Sequence, residues 1–214
     1  MQTRLTKGQL LHYWGYQEKC NAVEDYKSFY KLGTTGDHLC FFVNSEEILV
    51  VIDATEGKLD SAEWQSNFNF SPPIHGFHNG FYTTANLFMP MITKELKKLV
   101  NDNPDKKVIV QGHSRGGGIA PILDMMLGLA GIDNTTLITF CAPRCATKSA
   151  IPALKSNGTV HHRVEAKLDA VDNVPPKFTF FPFCIWKHLD TFSYDLPGVK
   201  GNDHLEVRAA IEAM

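Results

Sequence analysis

The sequence contains no run of about eighteen apolar residues, so no segment reads as a membrane-spanning helix. Residues 1–11 carry Arg4 and Lys7 but no continuous apolar h-region, and without a readable signal peptide a cytoplasmic location is expected. A formal net charge of −2 gives no bias toward nucleic acid or an anionic membrane, and nucleic-acid partners are not expected. Internal repeats, low-complexity segments and linkers are also missing, and 214 residues suit a single domain, 1–214, with a sizeable core. Cysteines are few. Cys20, Cys40, Cys141, Cys145 and Cys184 are odd in number and irregularly spaced, which suits reduced thiols better than a disulfide framework. Cys141-Ala-Pro-Arg-Cys145 lacks the C-x-x-C spacing, and no second Cys/His pair is placed to complete a tetrahedral site, so neither a metal nor another cofactor is expected.

Hydrophobic patterning supplies the elements. Residues 8–32 have a helical look closed by Gly33. Residues 39–43 and 48–52 flank the turn signal Asn44-Ser45-Glu46-Glu47 and read as a hairpin. From Asn86 onward, Phe88, Met91, Ile92, Leu96, Leu99 and Val100 fall at helical spacing opposite Lys94, Lys97 and Lys98, with Pro90 near the first turn. Strands are expected at 106–110, 137–141 and 159–168, with an apolar helix over 119–129. Strands separated by helical runs argue for a mostly parallel central sheet with helices on both faces, whose ligands gather at the carboxyl ends of the strands.

One stretch organises the rest. In Val108-Ile-Val-Gln-Gly112-His-Ser114-Arg-Gly116-Gly-Gly118, a β-branched run stops at a glycine, a serine follows and glycines open an apolar helix. Gly112-x-Ser114-x-Gly116 is the nucleophile-elbow pattern, in which a sharp turn lifts a serine hydroxyl clear of the backbone. A serine is a poor nucleophile at neutral pH and needs a base, which in turn needs an acid to orient it. In a strand–elbow–helix fold these follow in the order serine, acid, histidine. Only His188 and His204 follow both Ser114 and Asp169. His204, between a loop and a terminal helical run, is favoured over His188, which lies in an extended aromatic segment. Asp169, just past a strand end, is favoured over Asp172, Asp190, Asp195 and Asp203.

These residues, from about Ile48 to the C-terminus, resemble the fungal-type, or class 3, triacylglycerol lipases of the α/β-hydrolase superfamily. Gly112-His113-Ser114-Arg115-Gly116-Gly117 is similar to the family's G-H-S-L-G-G, and Thr139-Phe-Cys-Ala-Pro-Arg144 to its T-F-G-A-P-R. Asp169-Ala-Val-Asp-Asn-Val-Pro175-Pro176 resembles the D-x-V-P-x-L-P-P segment that begins with the triad acid, and His204-Leu205 the H-L that carries the base. His78-Asn-Gly80-Phe81 resembles H-x-G-F, and Trp64-x-x-Asn67-x-x-Phe70 resembles W-x-x-D-x-x-F.

The resemblance implies an α/β-hydrolase fold and a carboxylester hydrolase, a lipase or esterase acting on acylglycerols or other lipid esters through an acyl-enzyme. Ser114, Asp169 and His204 would be its triad, and the backbone N–H groups of Thr55 and Arg115 its oxyanion hole. A short, weakly amphipathic lid is expected over 56–69, and Trp64, His113, Phe181 and Phe183 are expected to contact substrate. The apolar stretch 178–186 reads either as sheet-edge core or as a wall for the acyl chain. The expected partner is a lipid or small ester, with transient contact at a lipid interface and no obligate protein partner. A catalytically silent lipid-binding module and an acyltransferase on the same fold are the alternatives. Two departures stand out: Asp53 falls where the family has arginine, and Arg115 replaces leucine beside the nucleophile. The Arg115 guanidinium is expected to pair with an acidic neighbour or a polar head group and to tune substrate choice.

Overall fold

A computed structural model describes residues 3–33, 36–53, 72–166, 169, 171–180, 183–189, 191–197 and 206–214; at 172, 178, 180 and 183 the description is of the backbone alone. Helix α1 spans Lys7–Ala22. It opens on a reciprocal capping box, in which the Thr6 hydroxyl accepts from the Gln9 amide and the Gln9 side chain accepts from the Thr6 amide. Strands β1 (Ser28–Lys31), β2 (His38–Val43) and β3 (Glu47–Asp53) follow. The single helix expected over 8–32 is therefore two elements. Val23 enters the left-handed region at φ 56 and its N–H returns to Cys20 O, which ends α1, and Asp25 adopts φ 53 before the β-prone Ser28–Lys31 pairs with β2.

Helix α2 spans Asn79–Asp102, seven residues earlier than its apolar spacing suggests from Asn86. Pro90 is consequently inside the helix, on its exposed side. Strand β4 (Lys107–His113) leads into helix α3 (Arg115–Leu129), followed by β5 (Thr136–Phe140), β6 (Ala146–Thr147), a short α4 (Ile151–Leu154) and β7 (Val160–Ala166). A 3-10 turn (Val171–Asn173), β8 (Phe178–Phe180), β9 (Phe183–Lys187), β10 (Phe192–Leu196) and α5 (Val207–Glu212) complete the order.

Among the described residues seven strands form the central sheet, in the order β1-β2-β3-β4-β5-β7-β10. From β3 to β10 the neighbours are parallel, while β1 and β2 add an antiparallel edge. Alternation along β3 sorts the two faces: Ile48, Val50 and Ile52 pack with Phe81, Phe88, Ile92 and Leu96 of α2 and Ile119, Ile122 and Leu123 of α3. Leu49 and Val51 face α1 and α5, where Leu10, Tyr13, Trp14, Val207 and Ile211 close the opposite layer. This is the mostly parallel, doubly covered sheet expected of an α/β-hydrolase. Within the apolar stretch 178–186, the described residues fall in β8 and β9, which pair antiparallel in a separate sheet, β6-β9-β8; Trp186 is buried there and its indole N–H donates to Thr179 Oγ1 at 3.2 Å. Among the described residues no helix is long and apolar enough to cross a membrane, and no cluster of side chains could hold a metal ion.

Candidate active site

The turn between β4 and α3 is built by close backbone approach. A Cβ at Gly112 would lie 2.4 Å from the carbonyl of Gly116, and one at Gly116 would lie 2.3 Å from Ile52 O. Neither position admits a side chain without moving main chain. Ser114 sits between them at φ 55, ψ −126, a conformation costly for any residue with a Cβ. Its N–H donates to Phe140 O at 3.0 Å and its carbonyl accepts from Gly118 N at 3.1 Å, which fixes the turn against β5 and starts α3. The Ser114 hydroxyl is fully buried and has no hydrogen-bond partner among the described residues. A stable fold keeps such a hydroxyl at a cost of about 1–3 kcal/mol, an arrangement that calls for a functional explanation.

Asp169 lies just past the end of β7, at the same carboxyl edge of the sheet, and is 6% exposed. Its Oδ1 accepts the N–H of Val171 at 2.9 Å and its own N–H donates to Ala166 O, so the carboxylate has a fixed direction. Arg144 holds the loop that follows. Its guanidinium donates to the carbonyls of Asn173 and Pro175 at 2.7 and 2.8 Å and to Asn173 Oδ1 at 3.3 Å. The sequence flagged Arg144 only as one letter of a motif; its position two strands away from the aspartate loop hid this brace. Asp169 opens onto a cavity of about 790 Å3 that Arg144, Arg163, Glu165, His188 and Asp195 also line. The cavity thus brings the disfavoured base His188 near the acid, while the favoured base His204 lies outside the described residues.

Thr55, Trp64, Phe181 and the lid over 56–69 also lie outside the described residues, and of Phe183 only the backbone is described, as the first residue of β9. His113, expected to contact substrate, is instead a core side chain. It is 4% exposed, and its ring meets Trp14 edge-on at 5.2 Å, because alternation along β4 turns it toward α1.

Both departures from the family motif have partners. Arg115 Nε and Nη2 donate to Asp37 Oδ1 and Oδ2 at 3.1 and 3.0 Å, Nη2 also reaches Thr84 Oγ1 at 3.2 Å, and the guanidinium lies over the Phe81 ring at 5.7 Å. Thr84 Oγ1 donates to Asp37 Oδ2, closing a network around a carboxylate that is almost wholly buried. Of the two partners expected for Arg115, the structure thus supplies the acidic neighbour. Asp53, in place of arginine, is buried with its Oδ2 3.5 Å from His38 Nε2, and the same nitrogen lies 3.1 Å from Cys20 O. Cys141, where the family motif has glycine, adopts φ 48. Cys141 and Cys145 are buried free thiols, and burial pushes Cys145 up to about 12.

Two histidines near the site are held neutral. Burial, aided by the Arg115 charge, lowers His78 to about 4, with its ring stacked on Phe81 at 4.2 Å. Burial, with the charge of Arg163 beside it, lowers His161 to about 3, and its Nε2 is 2.8 Å from Thr139 Oγ1.

The model of the class 3 lipase family matches residues 50–179. The chain is 28% identical over 131 residues to a secreted mono- and diacylglycerol lipase A of Penicillium cyclopium, which covers 58% of this chain and 43% of that protein. It is 31% identical over 122 residues to a lipase of Rhizopus niveus, covering 51% and 30% respectively. The chain therefore matches less than half the length of either relative. The crystal structure of a lipase from Rhizopus microsporus var. chinensis shares the fold, with a TM-score of 0.75 at 22% identity over 92% of this chain and 75% of that one. The cytoplasmic location expected from residues 1–11 is overturned by the Penicillium relative, which is named as secreted. A leader is removed on export and leaves no mark on a mature chain, so the missing h-region was never a reliable sign. With its family model spanning more than half of its residues, the chain belongs to the class 3 lipase family.

Proposed function

We propose that the chain is a serine carboxylester hydrolase acting on acylglycerols or other lipid esters, with residues 1–214 as one catalytic domain. The observation that carries this reading is the buried, strained Ser114, whose hydroxyl lacks a partner among the described residues, at the same sheet edge as Asp169. In this reading His204 accepts the hydrogen bond of the Ser114 hydroxyl. It takes the Ser114 proton as the oxygen attacks the ester carbonyl, and Asp169 orients the imidazole and stabilises its cation. The tetrahedral oxyanion accepts hydrogen bonds from the backbone N–H groups of Arg115 and Thr55; losing one such donor typically costs about 100- to 1000-fold in rate. His204 then protonates the departing alcohol, and water cleaves the acyl-enzyme by the same steps in reverse.

Neither the triad chemistry nor the proposed oxyanion hole calls on a metal or organic cofactor. Trp64, Phe181 and Phe183 would line the acyl chain's path, and residues 56–69 would cover it. The mono- and diacylglycerol lipase named among the relatives supports a glyceride substrate.

Turnover of p-nitrophenyl esters of graded chain length by wild type and Ser114→Ala tests the proposal. Hydrolysis by wild type that falls at least 1000-fold in Ser114→Ala is expected. Equal rates for the two proteins would refute it and favour a silent lipid-binding module, and product that forms only with an added alcohol would point to acyl transfer.

A further inference from the structure

Two buried thiols on the α1 face of the sheet have no part in the proposed chemistry. Cys20 is the last buried residue of α1, and Cys40 lies in the middle of β2; both are fully buried. The Cys20 thiol donates to Val51 O at 3.4 Å. Val51 is the residue directly across the β2–β3 ladder from Cys40. Cys20, Cys40 and Val51 belong to the same packed layer beneath Leu10, Tyr13 and Trp14, so both sulfurs point into one space between helix and sheet. Burial, and after it the Cys40 thiol, hold the Cys20 thiol far above its ordinary value. The other three cysteines sit elsewhere, two in the loop after β5 and one in β9.

We propose that Cys20 and Cys40 are joined by a disulfide when the chain folds in an oxidising environment, fastening α1 to the antiparallel edge of the sheet. The oxidant is a dithiol–disulfide oxidoreductase in its disulfide form. One cysteine thiolate attacks it, forms a mixed disulfide and expels one oxidoreductase thiolate. The second cysteine thiolate attacks the first cysteine's sulfur in that bond, forms the Cys20–Cys40 bond and expels the other oxidoreductase thiolate. Two electrons pass to the oxidoreductase, and the two protons lost by the cysteines balance those its thiolates take up. The exchange precedes burial, because in the folded chain both sulfurs are inaccessible and the Cys20 thiol stays protonated.

The bond closes a loop of about 20 residues, which raises the unfolding temperature of a chain this size by on the order of 10 °C. The test refolds the full chain from denaturant in a glutathione redox buffer poised like a secretory compartment, then alkylates it with iodoacetamide in denaturant and maps the peptides. Three alkylated cysteines, a Cys20–Cys40 cross-linked peptide pair and a fall in unfolding temperature of that order on reduction are expected. A variant with Cys141, Cys145 and Cys184 all changed to alanine must still lose two hydrogens, and Cys40→Ala must show four alkylated cysteines and no cross-link. Five alkylated cysteines in the wild type, or a cross-link through Cys141, Cys145 or Cys184, would overturn the proposal.

Discussion

The backbone of Ser114 makes a prediction about stability that is independent of catalysis. At φ 55, ψ −126 a residue with a Cβ carries about 1–3 kcal/mol of strain. Alanine at this position removes the hydroxyl but keeps the Cβ and the strain; glycine removes both. At an ordinary helix or strand position glycine is about 0.5–1 kcal/mol less stable than alanine, because it loses more backbone freedom on folding. Subtracting that entropy cost from the strain relieved leaves Ser114→Gly more stable than Ser114→Ala by up to about 2.5 kcal/mol, or up to roughly 10 °C in Tm for a chain of this size. Urea unfolding of the two variants, followed by the fluorescence of the three tryptophans, measures the difference directly. Both variants are expected to be inactive, so the comparison isolates the turn. If Ser114→Gly proved less stable than Ser114→Ala by the ordinary 0.5–1 kcal/mol, the elbow would carry no strain and the reading of its geometry would be wrong.

Three further perturbations follow from the surroundings of the elbow. Arg115→Leu takes the bidentate cation away from the buried Asp37 carboxylate and should cost about 2–4 kcal/mol, with acyl-chain preference unchanged because Nε and Nη2 are committed to Asp37; a shifted preference at unaltered stability in urea would reverse that assignment. Cys141→Gly relieves the positive φ of 48 but carries the entropy cost of glycine and empties a fully buried side-chain site, so the effects should offset to within about 1 kcal/mol; a loss of more than about 3 kcal/mol in urea would show that the turn carries no strain. Acid should weaken the protein early. His161, His78 and His162 are lowered to about 3, 4 and 4, so between pH 6.5 and 4 the unfolded chain binds protons that the folded chain refuses. His161 and His78 then each remove up to about 1.4 kcal/mol of stability per pH unit as pH falls through that window, His162 adds in the same direction, and stability is recovered above pH 6.5. Urea midpoints at pH 7 and 5, a range in which ordinary exposed carboxylates stay ionised, should fall steeply; equal midpoints would show that these rings are not buried in neutral form.

The elbow was legible in the sequence because its glycines are dictated by local backbone contact: Gly112 against Gly116, and Gly116 against Ile52. The parallel strands were legible for a similar reason, since β3, β4 and β5 are continuous apolar runs buried on both faces. The partner of Arg115 was not legible. Asp37 lies 78 positions away, in the segment between β1 and β2, and nothing in its own neighbourhood marks it as a buried counter-ion. Strands β1 and β10 are not legible either. Each is a short edge strand whose place depends on a neighbour, Leu39 across from Tyr30 and Val164 beside Tyr194. The early start of α2 does have a signal in the sequence, in that Phe81, Ala85 and Phe88 already repeat at helical spacing before Pro90. The orientation of His113 is not legible in the motif, because adjacency to the nucleophile says nothing of which face of β4 a side chain takes.

Activation of Ser114 by His204 and Asp169 is measured by labelling with a fluorophosphonate, the adduct being located by peptide mass spectrometry. A single adduct on Ser114 is expected, formed about 100- to 10,000-fold more slowly in His204→Ala and at nearly the wild-type rate in His188→Ala. Labelling that survives in His204→Ala and is lost in His188→Ala would contradict the assignment and make the histidine beside the Asp169 cavity the base.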